Sequence, residues 1–157
     1  MTQASLLVGG RVSAEERLEP AAKDATVFGH RLHYLEAGRG DPVILLHGTG
    51  GEGARWMPNI KGLAPSFRVI ALDQIGFGQS DKPLTMYHSG VFAGFLAGFM
   101  QAIGVQRATI IGQSMGAAAA LYLAIVSWCL YRWRIGCRKT RRIHTAVAWR
   151  NQRPRVT

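Results

Sequence analysis

The chain has 157 residues, of which 48% are hydrophobic and 18% are charged, and this suffices for one domain with a buried core. The formal net charge of +10 is concentrated at one end: residues 126–157 hold nine Lys or Arg and no acid, whereas residues 1–125 hold ten Lys or Arg and nine Asp or Glu. A near-neutral body followed by a basic segment excludes a uniformly basic nucleic-acid-binding domain.

Both cysteines, Cys129 and Cys137, lie in the basic segment. They are eight residues apart with a single histidine nearby, which is neither a disulfide framework nor a zinc pattern. The sequence as a whole implies no metal and no organic cofactor, and we expect none. The apolar run Ser5–Gly10 is too short for a secretory signal and is soon followed by charged residues, so we expect a cytoplasmic protein.

Hydrophobic patterning predicts an α/β fold with about five strands in residues 24–125, preceded by a flexible leader in residues 1–23. Strands are predicted at Asp24–Arg31, Leu32–Glu36, Val43–Leu46, Arg68–Leu72 and Ala108–Ile111. Helices are predicted at Arg55–Ala64, Val91–Ile103 and Met115–Ile125. Because strands and helices alternate after the first two strands, we expect a mostly parallel sheet that is flanked by helices.

The first two strands are predicted to form a hairpin that turns at Gly29-His30. The other three are continuous apolar runs, which are typical of parallel strands buried on both faces. Each of these three runs is followed by a Gly-rich loop: His47–Gly53, Asp73–Asp81 and Gly112–Gly116. Ligands bind at the carboxyl ends of such strands, so the three loops together predict a functional site.

The Gly-x-Ser-x-Gly pentapeptide at Gly112–Gly116 lies between a strand-like and a helix-like run, which is typical of a nucleophile elbow. Side chains two residues before or after the serine would collide in so tight a turn, and this explains both glycines. The turn would expose the Ser114 hydroxyl and aim the Met115 N–H at a developing oxyanion. The alternative is a Gly-rich turn with an incidental serine.

Three segments together resemble the serine branch of the α/β-hydrolase family over roughly residues 24–125. They are VILLHGTGG at 43–51, RVIALDQIGFGQSDKP at 68–83 and ATIIGQSMGAAAAL at 108–121. The resemblance implies that Ser114 attacks a small-molecule substrate and that an ester, amide, lactone or carbon–carbon bond of this substrate is hydrolysed. It also implies an oxyanion hole formed by the N–H of Met115 and that of Thr49 or Gly50.

The resemblance also separates this chain from neighbouring branches of the family. GTGGEGARW at 48–56 and GQSMG at 112–116 are similar to carbon–carbon bond hydrolases and to lactone or ester hydrolases. Haloalkane and fluoroacetate dehalogenases, and most epoxide hydrolases of this fold, carry aspartate at the position of Ser114. His47 is implied to be a structural histidine that braces its loop, and Asp73 a structural acid, because the family's acid and base follow the nucleophile.

The family order of nucleophile, acid and histidine is not completed after Ser114. No Asp or Glu follows it, and the single later histidine is His144, 30 residues downstream. A serine without a positioned base is a poor nucleophile. We therefore expect impaired hydrolysis, with His144 as one alternative base and a solvated histidine as the other interpretation. A non-catalytic hydrolase remnant is the competing hypothesis.

The core is also predicted to be incomplete, since the family usually has eight strands. The strand Ala108–Ile111 would then be a bare apolar edge, and we expect self-association or aggregation through it. The composition changes sharply near residue 126, where a truncation or a change of reading frame is one hypothesis.

The segment 126–157 is rich in Trp and Arg and leaves several interpretations open. It could be a solvated charge run, or it could bind nucleic acid or an anionic membrane surface. The run Met115–Tyr131, nearly all apolar, also approaches the length of a membrane-spanning helix. The alternative for this run is the buried helix that follows a nucleophile elbow.

Overall fold

The computed structural model describes residues 18–133 and 144–146 and contains a six-stranded sheet in the order β1-β2-β4-β3-β5-β6. The strands are β1 (Ala21–Val27), β2 (His30–Ala37), β3 (Pro42–Leu46), β4 (Arg68–Leu72), β5 (Thr109–Gly112) and β6 (His144–Ala146). The helices are a short 3₁₀ helix (Gly53–Trp56), α1 (Met57–Leu63), α2 (Ser89–Ala102) and α3 (Met115–Trp133).

Strand pairing confirms a mostly parallel sheet that is flanked by helices. β1 and β2 form an antiparallel hairpin, and β2 is antiparallel to β4. From β4 onward the neighbours are parallel: β4 with β3, β3 with β5 and β5 with β6. The carboxyl ends of β3, β4 and β5 therefore lie on one edge of the sheet, together with the three Gly-rich loops that follow them.

The sheet is buried on both faces, which explains the continuous apolar runs. On one face, alternate residues of the strands pack with α2 and α3; on the other face, the intervening residues pack with α1. Along β3, for example, Ile44 and Leu46 belong to the first cluster, whereas Val43 and Leu45 belong to the second. The helices packed on the two faces therefore hold in place the strands that carry the Gly-rich loops.

The hairpin turn differs by one residue from the prediction, since it consists of Phe28 and Gly29. Their φ angles are +51° and +81°, as a two-residue turn matched to the strand twist requires. A phenylalanine in this left-handed region is unusual. Its ring packs edge-on against Phe95 of α2 at 5.4 Å between centroids, and this tertiary contact offsets part of the backbone cost.

Two further differences concern the segment after Ser114. Helix α3 continues to Trp133 instead of ending at Ile125. The short strand β6 pairs with β5 from Thr109 to Ile111, so the expectation that β5 is a bare edge is wrong for these residues. A three-residue strand is too short for its alternation to be recognised in sequence. Residues 134–143 and 147–157 of the predicted tail, with Cys137, lie outside the described residues.

The predicted start of β1 and the predicted N-terminal leader can be compared with the structure only in part. β1 begins at Ala21, three residues before the predicted strand, and residues 1–17 of the predicted leader lie outside the described part of the chain. Over the described residues, no helix combines the length and the apolar character needed to cross a membrane.

Candidate active site

Ser114 lies in the sharp turn between β5 and α3. Its φ of +50° places a non-glycine residue in the left-handed region, where backbone strain is of the order of 1–3 kcal/mol. Its side chain is exposed at the carboxyl edge of the sheet. The local backbone therefore has the strained, exposed geometry that the Gly-x-Ser-x-Gly pattern predicts.

Three glycines allow this turn to approach its neighbours closely. A Cβ added to Gly112 would lie 2.5 Å from the nitrogen of Ala117, and one added to Gly116 would lie 2.6 Å from the carbonyl oxygen of Leu46. A Cβ added to Gly48 would lie 3.3 Å from the Cβ of Ser114. Glycine is thus required at 112 by the first turn of α3 and at 116 by the end of β3.

The backbone N–H groups expected to form an oxyanion hole belong to the residue after Ser114 and to the loop that adjoins it at Gly48. Met115 is the first residue of α3, so its N–H has no acceptor within the helix. Gly48 adjoins Ser114 and opens a turn that the Gly51 N–H closes on the Gly48 carbonyl at 3.0 Å. Thr49 and Gly50 form the exposed tip of that turn, with Gly50 at a φ of +69°.

His47 is fully buried and holds this loop by hydrogen bonds at both ring nitrogens. Nδ1 donates to the Gly48 carbonyl at 2.7 Å, and Nε2 accepts from the backbone N–H of Gln74 at 3.1 Å. The Gln74 amide returns a bond of 2.7 Å to the His47 carbonyl. Burial lowers the pKa of the His47 imidazole, although the bond to Gly48 opposes this shift. The ring is therefore neutral and braces the loop.

Asp73 is also buried and joins two of the Gly-rich loops. One carboxylate oxygen accepts the N–H of Gly53, and the other accepts the N–H of Gln79 at 2.7 Å. The Ser80 hydroxyl donates to the Asp73 carbonyl at 2.6 Å. An added Cβ at Gly78 would overlap the carboxylate. Since both carboxylate oxygens accept backbone N–H groups, Asp73 is held as a structural anchor of the site.

The structure does not bring the backbone of His144 to Ser114. In the parallel pairing of β6 with β5, His144 lies opposite Thr109, at the amino end of β5. Ser114 follows the carboxyl end of that strand, about 10 Å farther along it at the usual rise per residue. The described residues contain no group of three His, Cys, Asp or Glu side chains that could hold a metal ion.

Sequence reasoning missed the residues that connect the loops. The sequence places Gln74 only within a Gly-rich loop, yet this residue makes two of the three hydrogen bonds that hold His47. The backbone N–H of Gly53 was likewise not identified as the partner of Asp73. These contacts join residues 20 or more positions apart, and a single sequence carries no local signal for them.

Comparison with known proteins identifies the family. The family described as "alpha/beta hydrolase fold" matches residues 41–127, more than half of the chain. A dihydrolipoyllysine-residue acetyltransferase component of an acetoin cleaving system from Cupriavidus necator is 38% identical over 114 residues, which is 72% of this chain and 30% of the relative. A 2-hydroxy-6-oxo-6-phenylhexa-2,4-dienoate hydrolase from Comamonas testosteroni is 40% identical over 99 residues, 60% of this chain and 35% of the relative.

A solved structure shows the same arrangement of elements. The epoxide hydrolase CorEH superimposes with a TM-score of 0.66 at 35% sequence identity, covering 68% of this chain and 38% of that enzyme. The chain spans about a third of the length of the curated relatives it matches. The family match and these similarities agree with the mostly parallel sheet and its flanking helices. The chain belongs to the α/β-hydrolase fold family.

Proposed function

We propose that this chain carries the nucleophile of a serine hydrolase, and that Ser114 attacks the acyl carbon of a small ester, amide, lactone or carbon–carbon substrate. The observation that carries the proposal is the conformation of Ser114. An exposed serine at a φ of +50°, between a parallel strand and a helix N-terminus, is strained, and such strain is concentrated at functional sites.

The surrounding backbone supports the second part of the proposal, which concerns the oxyanion. Attack by the Ser114 oxygen forms a tetrahedral centre whose negative charge needs donors fixed in advance. The N–H of Met115 supplies one donor, and that of Thr49 or Gly50 supplies the other. The bracing of this loop by His47 and Asp73 supports the proposal, because a rigid loop would need no reorganisation during the reaction.

The proton of the Ser114 hydroxyl needs a base, and the described residues near Ser114 offer none. His47 donates and accepts within its own loop, and the Asp73 carboxylate accepts two backbone N–H groups. After Ser114 the sequence has no acid and only His144, whose backbone lies at the far end of β5. We propose that these 157 residues by themselves hydrolyse activated esters at or near the background rate.

The similarity to the hydrolase from Comamonas testosteroni supports one candidate substrate class for this site. Its members would carry an oxo group next to a conjugated chain. The similarity to an epoxide hydrolase supports the fold but not epoxide chemistry. Most epoxide hydrolases of this fold have an aspartate at the nucleophile position, where this chain has Ser114. A non-catalytic member of the family is the second candidate, and it is favoured by the lack of Asp and Glu in residues 115–157.

Covalent labelling tests the nucleophile without requiring turnover. We expect a fluorophosphonate in excess to form one slow adduct per chain, detected by intact mass, because oxyanion stabilisation alone retains part of the rate enhancement. Ser114→Ala should abolish the adduct, whereas replacement of another exposed serine, Ser66→Ala, should retain it. Hydrolysis of p-nitrophenyl acetate should be near background for all three proteins.

Two results would contradict parts of this proposal. Equal labelling of the wild type and Ser114→Ala would remove Ser114 as the nucleophile. Robust ester turnover that Ser114→Ala eliminates would keep the nucleophile but overturn the proposed impairment. In that case His144→Gln would be the first variant to examine for the base.

A further inference from the structure

Two buried residues from different Gly-rich loops, His47 and Gln74, are joined by a pair of hydrogen bonds. The backbone N–H of Gln74 donates to Nε2 of His47 at 3.1 Å, and the Gln74 side-chain amide donates to the His47 carbonyl at 2.7 Å. The first bond holds the ring and the second holds the backbone. Both parts of His47 are therefore fixed relative to the loop that follows β4.

The bond at Nε2 also decides which nitrogen of the His47 ring carries the proton. A backbone N–H can only donate, so Nε2 accepts and the proton of the neutral ring is on Nδ1. Burial lowers the pKa of the imidazole, which favours this neutral form. Nδ1 is therefore the donor of the bond to the Gly48 carbonyl at 2.7 Å.

The Gly48 carbonyl belongs to the same peptide as the N–H of Thr49, one of the two candidate oxyanion donors. It accepts the N–H of His47 Nδ1 and, at 3.0 Å, that of Gly51. A trans peptide is planar, and its C=O and N–H groups lie in opposite directions. Bonds at the Gly48 carbonyl thus set the direction of the Thr49 N–H, in a loop that adjoins Ser114.

Packing couples the His47 ring to this turn. A Cβ added to Gly51 would lie 3.0 Å from the Cβ of His47 and 3.1 Å from Nδ1. The ring of Phe77 packs edge-on against the imidazole, with 5.6 Å between the ring centroids. A shift of the imidazole would therefore move the turn at residues 48–51, and a contact that holds His47 also holds the turn.

We propose that the Gln74 side chain is a positioning residue for the oxyanion hole, which it orients through His47 and the Gly48–Thr49 peptide. Donors that are fixed in advance stabilise an oxyanion without reorganisation. An amide is suited to this place because it is uncharged and donates to a carbonyl. The effect on the reaction rests on the proposed hydrolysis, whereas the ordering of the loop requires no reaction.

Amide hydrogen exchange, followed by NMR on the full chain, tests the ordering of the loop. Gln74→Met keeps a side chain of similar length without the amide, and we expect the Gly51 N–H to exchange roughly tenfold faster than in the wild type. The Asp81 N–H, which donates to the Arg31 carbonyl at 2.9 Å, should keep its wild-type rate. Gln101→Met is the matched control, because Gln101 is exposed near the end of α2, and it should change neither rate.

Gln74→Glu is a second variant that also serves if Gln74→Met does not fold. An ionised carboxylate has no proton to donate to the His47 carbonyl, whereas a protonated carboxyl can donate to it. Burial favours the protonated form. The Gly51 exchange rate, divided by that of the wild type at the same pH, should therefore fall toward one as the pH is lowered from about 8 to about 5. A role in packing alone would give no such recovery.

Fluorophosphonate labelling connects the loop to the reaction. The second-order rate constant for labelling of Ser114 should be roughly tenfold lower in Gln74→Met than in the wild type. Gln101→Met should be labelled at the wild-type rate. Intact mass, recorded against time at several probe concentrations, gives this constant for each protein.

The outcomes separate this proposal from the proposed hydrolysis. A wild-type exchange rate at Gly51 in Gln74→Met would overturn the positioning role whatever the labelling shows. Equal acceleration at Gly51 and Asp81 would overturn it too, since the substitution would then loosen the whole fold. Faster exchange at Gly51 with unchanged labelling of Ser114 would overturn the role in the reaction. Equal labelling of the wild type and Ser114→Ala would contradict the hydrolysis, while selective exchange at Gly51 would still support the ordering of the loop by Gln74.

Discussion

Two regions of this molecule treat their exposed surface in opposite ways. The first, which we call the charged edge, consists of β1, β2 and residues 73–82. There Glu36 accepts from Arg68 at 2.8 Å and from Lys23 at 3.1 Å, across three adjacent strands. Asp24 accepts from Arg31 and contacts His33, both at 3.0 Å. The charges of the outermost hairpin therefore find partners within the chain.

The second region is the exposed side of α3, which carries Leu121, Tyr122, Ile125 and Val126 and takes part in no ion pair among the described residues. The difference shows that one side of the sheet is completed by its own side chains, as natural edge strands usually are. The outer side of α3 instead presents apolar side chains to solvent. Gly116 holds α3 close to the end of β3, and Asp73 at the end of β4 connects two of the Gly-rich loops.

The largest expected effect breaks the attachment of α3. In Gly116→Ala, the new Cβ would meet the carbonyl oxygens of Leu46 and His47 at 2.6 and 2.7 Å, and rigid backbone cannot yield as a side chain can. We expect a loss of about 3 kcal/mol in the free energy of unfolding, measured by urea titration.

Gly94→Ala is the matched control for that substitution. Gly94 lies in the interior of α2, and an added Cβ meets no atom within 4 Å. Removing the backbone freedom of a helical glycine should raise stability by about 0.5–1 kcal/mol. Equal destabilisation by both substitutions would contradict the close approach of α3 to β3.

A smaller effect is expected at Asp73, where the charged edge meets the Gly-rich loops. Asp73→Ala leaves the backbone N–H groups of Gly53 and Gln79 without their carboxylate acceptor, and should cost about 2–3 kcal/mol in the free energy of unfolding. Asp41 is an exposed carboxylate, and Asp41→Ala should change stability by less than about 0.5 kcal/mol. If both variants unfold at the same urea concentration, Asp73 does not anchor the loops.

The smallest effect tests the charged edge through pH. Burial raises the pKa of the Glu36 carboxyl, but hydrogen bonds from Arg68 and Lys23 outweigh burial and hold the pKa below its usual value. The folded state therefore binds the proton less readily than the unfolded chain. The stabilisation is complete above the pKa of the unfolded chain and is lost as the pH falls through the lowered folded pKa.

Glu36→Gln should accordingly cost about 1 kcal/mol in the free energy of unfolding near neutral pH. The difference from the wild type should shrink as the pH is lowered in a series of urea titrations. Glu52→Gln, at an exposed position, is the control and should change the free energy of unfolding by less than about 0.5 kcal/mol near neutral pH. A constant difference between Glu36→Gln and the wild type at every pH would argue against this ion-pair network.

The sequence by itself determined the fold class and the nucleophile turn, because both rest on local patterns. Continuous apolar runs predict buried parallel strands at β3, β4 and β5, and glycines two residues either side of Ser114 predict the turn. His47 and Asp73 were also assigned to bracing roles by resemblance. In each case the signal lies within a few residues of the element that it describes.

Only the tertiary structure decided the features that depend on contacts between distant residues. It showed that Gly116 is required by the end of β3, that Gln74 fixes His47, and that Phe28 enters its turn while packing on Phe95. It also placed the ring of Tyr122 of α3 beside Gly90 at the start of α2. The physical reason is that close approach, bracing and exposure are properties of packed elements, which a pattern along one strand or helix does not contain.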